Sequence, residues 1–190
     1  IFNFFGGVAS GPLLIAYGRR ELGLPAEVIG LVFGAGTLGI VLATLANGAV
    51  TRRFGMGRTL VAGGAILPLM PLGFWLLDAS MGTPTIAVAA ILIQFVALLG
   101  AGFFHVNQVT YRQLITPSRL LGRMNASMKT LMLLGLPLGS FIGAFVAEHL
   151  GLRATLLVGA FGVVFGPIPL LLSGIARVAA QPPSATEERR

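Results

Sequence analysis

The stretch GAVTRRFGMGR, residues Gly48–Arg58, carries three arginines and no acid, and it lies between two long apolar runs. A stretch with the same Gly-Ala start and the same final arginine recurs 95 positions further on as GAFVAEHLGLR, residues Gly143–Arg153. There Ala147 and Glu148 replace the two adjacent arginines. Basic residues are retained on the cytoplasmic side of membrane proteins. A repeat that keeps its glycine but changes its charge therefore predicts two copies on opposite sides of a membrane.

The composition favours the same environment. Hydrophobic residues make up 55% of the chain and charged residues 10%, against roughly 25% charged residues in soluble domains. The mean hydropathy is +0.90, and a soluble protein of this size could not bury so much apolar surface. The net charge of +7 does not indicate nucleic-acid binding, because the arginines lie in short clusters between apolar runs. The chain has no cysteine, which excludes disulfides and thiolate chemistry.

Six apolar segments predict six membrane spans. The first, IFNFFGGVASGPLLIA, has no initiator methionine and ends near Ala16, short of the ~20 residues that cross the hydrocarbon core. We therefore expect a span truncated at its start, in a fragment of a longer protein. The other five contain no Asp, Glu or Arg. They are approximately Val28–Val50, Thr59–Leu77, Thr85–Phe104, Asn125–Ala147 and Ala154–Ala176.

The connecting segments predict the orientation. Only Arg19, Arg20 and Arg153 lie on one side of the six spans, and the positive-inside rule places the other side in the cytoplasm. We expect residues 1–176 to form the transmembrane bundle and the polar, proline-rich residues 177–190 to form a disordered cytoplasmic tail. The ten basic residues of the cytoplasmic side are Arg52, Arg53, Arg58, Arg112, Arg119, Arg123, Lys129, Arg177, Arg189 and Arg190.

Three spans separate the two copies of the repeat, and an odd number turns the second copy upside down. Without gaps, five residues of the first copy and its following span match the second. These are Gly48, Ala49, Arg58, Gly64 and Ala65, matched to Gly143, Ala144, Arg153, Gly159 and Ala160. The predicted fold is all-α and integral to the membrane, with six helices in two inverted three-helix repeats, an arrangement typical of secondary transporters.

The first copy resembles the cytoplasmic loop motif of the major facilitator superfamily, which contains two glycines, an acid and several basic residues. Gly48, Arg53, Gly55 and Arg58 fit that frame, and Arg52 stands where the acid belongs. In the superfamily this loop acts as a latch on the cytoplasmic side. The resemblance implies gating or orienting roles for these residues and for the other cytoplasmic arginines of the bundle, Arg112, Arg119 and Arg123.

A second stretch, NQVTYRQLITPSRLLGRMNASMKTLMLLGLPLGSFIGA, is similar to the loop and eleventh helix of bacterial members that export siderophores and macrolides. The features that carry the similarity are Arg112–Gln113, Pro117, LGRMNA at Leu121–Ala126 and LPLG at Leu136–Gly139. The resemblance implies half of a major facilitator fold, the C-terminal six helices of an exporter in the bacterial inner membrane, with its C-terminus in the cytoplasm. Its expected partners are an N-terminal six-helix half, membrane lipids and a small amphipathic cargo such as a drug or siderophore, moved by a proton or ion gradient.

Polar side chains within the spans are the candidate substrate contacts, because polar groups in a bilayer tend to face the interior of the bundle. Gln94 lies deep in the fourth span and Asn3 lies in the first. An interhelical hydrogen bond is the alternative role for each. Gly135, Gly139 and Gly143 recur every four residues and form a ridge that predicts close helix packing, either static or sliding during transport.

No predicted span contains a carboxylate, and no Walker-type loop, HExxH motif or nucleophile elbow occurs in the sequence. We therefore expect no enzymatic activity, no cofactor and no metal. In related antiporters the acidic proton carrier commonly lies in the N-terminal half. Two alternatives remain: a self-sufficient six-span protein that acts as a homodimeric half-transporter or scaffold, and a membrane-embedded lipid enzyme, which would need clustered acids, histidines or metal ligands.

Overall fold

The structure, a computed structural model, describes residues 1–9 and 11–175. The regular structure within these residues consists of α-helices and two short 3-10 turns, Ala79–Met81 and Ser118–Leu120. The helices are α1 (Phe2–Val8), α2 (Gly11–Arg20), α3 (Ala26–Phe54), α4 (Met56–Ile66), α5 (Leu69–Leu76), α6 (Thr83–Ile115), α7 (Leu121–Leu150), α8 (Leu152–Val164) and α9 (Pro167–Leu172).

Five of the six predicted spans are confirmed as helical segments long and apolar enough to cross a membrane, by length and composition, within the described residues. They are α3, the pair α4–α5, α6, α7 with its preceding turn, and the pair α8–α9. The predicted first span corresponds to α1 and α2, and neither helix reaches spanning length alone. The predicted tail, residues 177–190, lies outside the described residues.

The helix boundaries differ from the predicted spans because helices continue beyond the apolar core. The fourth span was predicted to end at Phe104, but α6 runs on to Ile115 as a polar stem. Pro68 stands at the break between α4 and α5, and Pro167 begins α9. Both fit the loss of a backbone donor at proline. By contrast, α7 continues through Pro137.

The order of contacts shows that α3 and α6 run parallel. A Cβ added to Gly36 of α3 would lie 2.6 Å from Cγ of Gln94 on α6. Further along both helices, the side-chain amide of Asn107 donates to Oδ1 of Asn47 at 2.7 Å. Because residue numbers increase together along both helices, α3 and α6 point in the same direction. This is expected for two spans that are separated by a single antiparallel span, α4–α5.

The same argument makes α1 parallel to α7. A Cβ on Gly135 would lie 3.3 Å from Cβ of Asn3, and one on Gly143 would lie 2.5 Å from the carbonyl oxygen of Val8. By contrast, the pair α4–α5 is antiparallel to α6. A Cβ on Gly63 would meet the carbonyl oxygen of Gly100, whereas Gly73 faces the earlier residue Ile93.

The two predicted triplets therefore interlock. The first triplet consists of α1–α2, α3 and α4–α5, and the second consists of α6, α7 and α8–α9. The first span of each triplet packs against the second and third spans of the other, since α1 contacts α7 and α8 while α6 contacts α3 and α4. This exchange is what two inverted copies of one three-helix unit produce around a shared pseudo-two-fold axis.

The two repeated hinges have the same backbone geometry. Gly55 joins α3 to α4 with φ 88° and ψ 148°, and Gly151 joins α7 to α8 with φ 87° and ψ 163°. Thr59 donates its hydroxyl to the Gly55 carbonyl at 2.8 Å, and Thr155 does the same to Gly151 at 2.9 Å. The structural register of the repeat is therefore 96 residues.

The ungapped sequence register is wrong by one position. It paired Arg58 with Arg153, whereas the hinge geometry pairs Gly57 with Arg153. A hinge glycine with positive φ fixes the register more firmly than a terminal arginine, because φ near 88° is accessible to glycine and rarely to other residues.

Charge is divided between the two ends of the bundle. Asp78, Glu27 and Glu148 lie with Arg20 and Arg153 at the end where α3, α6 and α8 begin. The opposite end holds a larger cationic set. Its described members are Arg52, Arg53, Arg58, Arg112, Arg119, Arg123 and Lys129. Arg177, Arg189 and Arg190, which were predicted to join them, lie outside the described residues.

Candidate functional site

A cavity of about 490 Å³ lies where the two triplets meet. Residues of α1, α3, α5, α6 and α7 line it, together with Leu67 between α4 and α5, so it sits on the junction of the inverted repeats. Most of the wall is apolar, including Phe2, Ala101, Phe104, Met132 and Leu136. Its volume falls within the range of small-molecule sites, roughly 300–1,000 Å³.

Three polar side chains interrupt the apolar wall. Asn3 enters from α1, and His105 and Gln108 enter from α6. A few polar groups in a largely apolar pocket fix the orientation of a ligand. Asn3 was predicted to line a substrate path, and it lies on this cavity; its contact with substrate stays a prediction. His105 and Gln108 lie one turn apart, a spacing that places them on one face of the helix.

Gln94, the other predicted substrate contact, lies elsewhere. It does not line this cavity, and its side chain is 3% exposed, packed against Gly36 of α3. Its Oε1 is buried and has no hydrogen-bond partner among the described residues. Helical rise places it about 16 Å along α6 from His105. Its role in substrate contact stays a prediction, and its surroundings are those of a packing residue.

We expect Gln94→Leu to raise the thermal stability of the protein, whereas the sequence-based prediction of substrate contact requires the same variant to impair transport. Leucine has a similar size, and it removes an unpartnered carbonyl whose burial costs about 1–3 kcal/mol. Thermal unfolding in detergent and uptake into vesicles measure the two effects. Loss of transport at unchanged stability would instead place Gln94 in contact with the substrate.

The predicted glycine ridge of α7 faces α1. A Cβ on Gly139 would clash with the carbonyl group of Phe4 and lie 3.1 Å from Cα of Gly7. Ser140 follows on the same helix and donates its hydroxyl to the carbonyl oxygen of Gly7 at 3.3 Å. At Gly139 these contacts leave no room for a side chain, so the backbones of α1 and α7 touch there.

A second cleft of about 390 Å³ continues along the seam between α2 and α7. Gly7 and Ser140 lie at one end of it, and Arg20 and Glu148 contribute charges of opposite sign. The close contact of Gly7 with α7 therefore separates a cavity towards the cationic end from a cleft towards the end that carries Glu148.

The six arginines predicted to gate or orient the chain share the cationic end, but their environments differ. Five are exposed, and Arg53 lies over the ring of Phe54 at 5.5 Å from its centroid. The sixth, Arg112, is half-buried, and its Nε donates to the carbonyl oxygen of Gln108. Gly48 is exposed on α3, and Gly55 forms the first hinge. Gating by these residues stays a prediction.

The hydrogen bond between Asn47 and Asn107 is a feature that sequence reasoning missed. Asn107 is 1% exposed, and its amide also donates to the carbonyl oxygen of Phe103 at 2.7 Å. The two asparagines are 60 positions apart, so no local spacing links them. The sequence signal for this bond was that both asparagines lie near the cationic ends of their spans. The bond ties α3 to α6 beside the cavity.

At the opposite end, Arg153 links α8 to the loop after α5. It pairs with Asp78 at 3.5 Å and donates to the carbonyl oxygen of Trp75 at 3.2 Å. The backbone and side-chain groups of Ser80, followed by the Arg153 guanidinium, lower the pKa of Asp78 below its ordinary value of 3.8.

A lowered carboxyl pKa stabilises the fold above the unfolded pKa, and the contribution is lost as the pH falls through the folded value. We expect the Tm of the protein to fall slightly more between about pH 5 and 3 than the Tm of Asp78→Asn. The effect is small because both partners of the ion pair are exposed. Identical pH profiles for the two proteins would contradict this assignment.

Two interlocked, inverted helix triplets with a cavity at their junction define a multi-pass membrane protein of the transporter type. The chain matches the Major Facilitator Superfamily over residues 1–190 and belongs to that superfamily. It is also similar to the 4-hydroxybenzoate transporter PcaK of Pseudomonas putida, at 31% identity over 159 residues. The matched region covers 84% of this chain and 33% of PcaK, so the chain spans about a third of this curated relative. No solved structure matches it.

Proposed function

We propose that this chain is the C-terminal six-helix half of a secondary active transporter. The transporter exports small amphipathic molecules, such as drugs or siderophores, across the bacterial inner membrane, driven by a proton or ion gradient. The single observation that carries the proposal is the cavity of about 490 Å³ at the junction of the two inverted triplets. Substrate sites of secondary transporters lie near the midplane at such repeat interfaces.

The wall of the cavity suits an amphipathic cargo. Phe2, Phe104 and Leu136 offer apolar contacts, while Asn3 and Gln108 offer hydrogen bonds. Met132 adds a flexible apolar side chain that adapts to ligands of different shape. A site of this kind favours cargo that has both an apolar body and a polar group.

Alternating access requires parts of the bundle to move against one another, and the seam between α1 and α7 suits that motion. Gly7 and Gly139 meet backbone to backbone between the cavity and the second cleft. Small residues let the two backbones approach closely, with no large side chain interlocked across the contact. Rocking at this seam would join the cavity to one side of the membrane and then to the other.

The charge distribution supports a cytoplasmic location for the cationic end, by the positive-inside rule. The proposed partner is a matching N-terminal six-helix half. Large apolar side chains of α7, including Leu131, Phe141 and Phe145, are 64%, 76% and 62% exposed in the isolated chain. A second half, together with lipid, would cover this apolar surface.

The similarity to a 4-hydroxybenzoate transporter supports a second candidate cargo, a small aromatic acid. This cargo has an apolar ring of a size that the cavity accommodates, and its carboxylate would need a cationic partner. Direct comparison of aromatic acids with neutral amphipathic drugs in the same uptake assay separates the two candidates.

Filling the cavity tests the proposal. We expect Ala101→Phe to lower transport at least tenfold, because the added ring occupies the space between α1 and α6. Val88→Phe is the matched control, since Val88 lies on the same helix and is 59% exposed on its outer surface. Both variants should insert and remain monodisperse. Equal transport by the two would exclude this cavity as the substrate site.

A further inference from the structure

A smaller space of about 120 Å³, here named the side chamber, lies beside the cavity of the candidate site, between α1, α5, α6 and α8. The wall of the cavity includes the polar side chains of Asn3, His105 and Gln108. The two spaces differ in chemistry, because the described residues that line the side chamber are all apolar. They are Phe2, Phe5, Gly6, Ala9, Leu67, Met70, Pro71, Ala97, Leu98 and Val163.

The side chamber and the cavity share part of their walls. An added Cβ on Gly6 would have no atom within 4 Å, whereas one on the neighbouring Gly7 would lie 3.2 Å from Cα of Gly139. Gly6 therefore borders open space, and no side chain at that position separates the chamber from the cavity. Five residues line both spaces, namely Phe2, Gly6, Leu67, Met70 and Leu98.

Helix α6 presents one alanine to each space. Ala97 is 1% exposed and lines the side chamber, and Ala101 lines the cavity one turn later. Residues four apart lie on the same face of a helix. A molecule that lies along this face of α6 would therefore have one end in the cavity and the other in the side chamber.

Two aromatic rings bound the side chamber, and contacts with neighbouring helices fix their positions. The ring of Phe2 packs edge-to-face on the ring of Phe104, with centroids 4.7 Å apart. A Cβ on Gly162 of α8 would clash with the ring of Phe5, and one on Gly166 would meet the ring of Phe2. Both rings are thus seated against glycines, and the side chamber is a preformed space of the kind that ligand sites use.

The apolar wall determines what can fill the side chamber. A buried water needs two to four polar partners, and this wall offers no polar side chain among the described residues. An engineered apolar cavity of about 150 Å³ stays dry and binds benzene or xenon. Each methylene of a ligand that enters such a space should tighten binding by about fourfold. An apolar group of about the size of one ring is therefore the expected occupant.

We infer that the side chamber binds the apolar end of the cargo, one ring or a short alkyl chain, while the polar part of the cargo stays in the cavity. The inference rests on the proposed function and assigns to it a separate subsite and a size limit. Gly6 and Ala97 are the specificity-determining residues, since a larger side chain at either position would occupy the side chamber. The transporter selects cargo by the length of its apolar group as well as by its polarity.

The test uses the full-length transporter in lipid nanodiscs, with para-alkylphenols from methyl to heptyl as probes. We expect the affinity, measured by calorimetry, to rise with chain length and to level off once the side chamber is full. Gly6→Leu should lower the ratio of para-pentylphenol to para-methylphenol affinity at least tenfold. Gly34→Leu is the matched control and should keep the wild-type ratio, since Gly34 is exposed on α3 and an added Cβ meets no atom within 4 Å. Partition of the probes into lipid is the same for both variants.

A second variant and a second probe keep the test decisive if Gly6→Leu does not fold. Ala97→Leu narrows the side chamber from α6, and Ala97 lines the side chamber but not the cavity. We expect the same loss of chain-length preference. In xenon-pressurised crystals, xenon should lie among Phe5, Met70 and Val163 in the wild type and be displaced in Ala97→Leu. An unchanged affinity ratio in the variants, or no xenon in the wild-type side chamber, would overturn the inference.

The outcomes also separate this inference from the proposed function. Equal chain-length preference in the wild type and in Ala97→Leu, with transport still lowered by Ala101→Phe, would overturn the side-chamber assignment and leave the transporter proposal standing. Failure of every alkylphenol to bind would also overturn the assignment. No effect of Ala101→Phe on transport would count against the proposed function even where xenon occupies the side chamber.

Discussion

Gly139→Val is expected to lower the Tm of the purified protein by on the order of 10 °C and to reduce the yield of folded protein. The new side chain meets the main chain of α1, namely the carbonyl group of Phe4 and Cα of Gly7. Overpacking usually costs about 1–3 kcal/mol, and a main-chain obstacle cannot move aside as a side chain can. Because 1 kcal/mol shifts the Tm by roughly 2–4 °C in a chain of this size, the loss of stability caused by forcing α1 away from α7 is readily measured as a fall in Tm.

Gly34→Val is the matched control for this substitution. Gly34 lies on the exposed face of α3, and an added Cβ has no atom within 4 Å. We expect it to change the Tm by only a few degrees. If both variants unfold at the same temperature, α1 does not pack on the glycine ridge, and the interlocked arrangement of the triplets would be wrong.

Gly55→Ala and Gly151→Ala should each destabilise the protein by about 1–3 kcal/mol, and by similar amounts. Both glycines combine a positive φ near 88° with an extended ψ, a region that residues with a Cβ rarely occupy. An added Cβ on Gly151 has no neighbour within 4 Å, so its cost is conformational and not steric. Thermal unfolding of the two variants measures whether the repeated hinges are equivalent.

Gly122→Ala is the control for the hinge variants. Gly122 lies within α7, and an added Cβ meets no atom within 4 Å. We expect this variant to be equal to the wild type or slightly more stable, because alanine favours a helix over glycine by up to about 1 kcal/mol. Hinge variants as stable as Gly122→Ala would contradict the positive φ at Gly55 and Gly151.

The sequence predicted the helical membrane fold because apolar length and charge are properties of single segments. Five of the six spans follow from runs of about 20 apolar residues. Arg52 and Arg153 lie at opposite ends of the bundle, as the changed charge of the repeat predicts. The family follows from the match over the whole chain, and it agrees with the resemblance carried by Gly48–Arg58.

Features that depend on pairing between distant residues were not predictable in the same way. Hydropathy marks Gln94 as polar within a span, but only packing reveals that it lies against Gly36, away from the cavity. The sequence does not distinguish Arg112 from the other cytoplasmic arginines, because burial of one nitrogen leaves no trace in composition. The register of the repeat differed by one residue, since small-residue identities specify it less well than the conformation of Gly55 and Gly151.

Access to the cavity from each side of the membrane tests the central claim most directly. The chain contains no cysteine, so Ala101→Cys can be probed with membrane-impermeant thiol reagents once any cysteine elsewhere in the full-length protein is replaced. Arg53→Cys and Ser80→Cys, exposed at opposite ends, report the two sides. The transporter account predicts that each end is labelled from one side only, whereas Ala101→Cys is labelled from either side according to the imposed gradient. Labelling of Ala101→Cys from a single side under every gradient would contradict alternating access at this cavity.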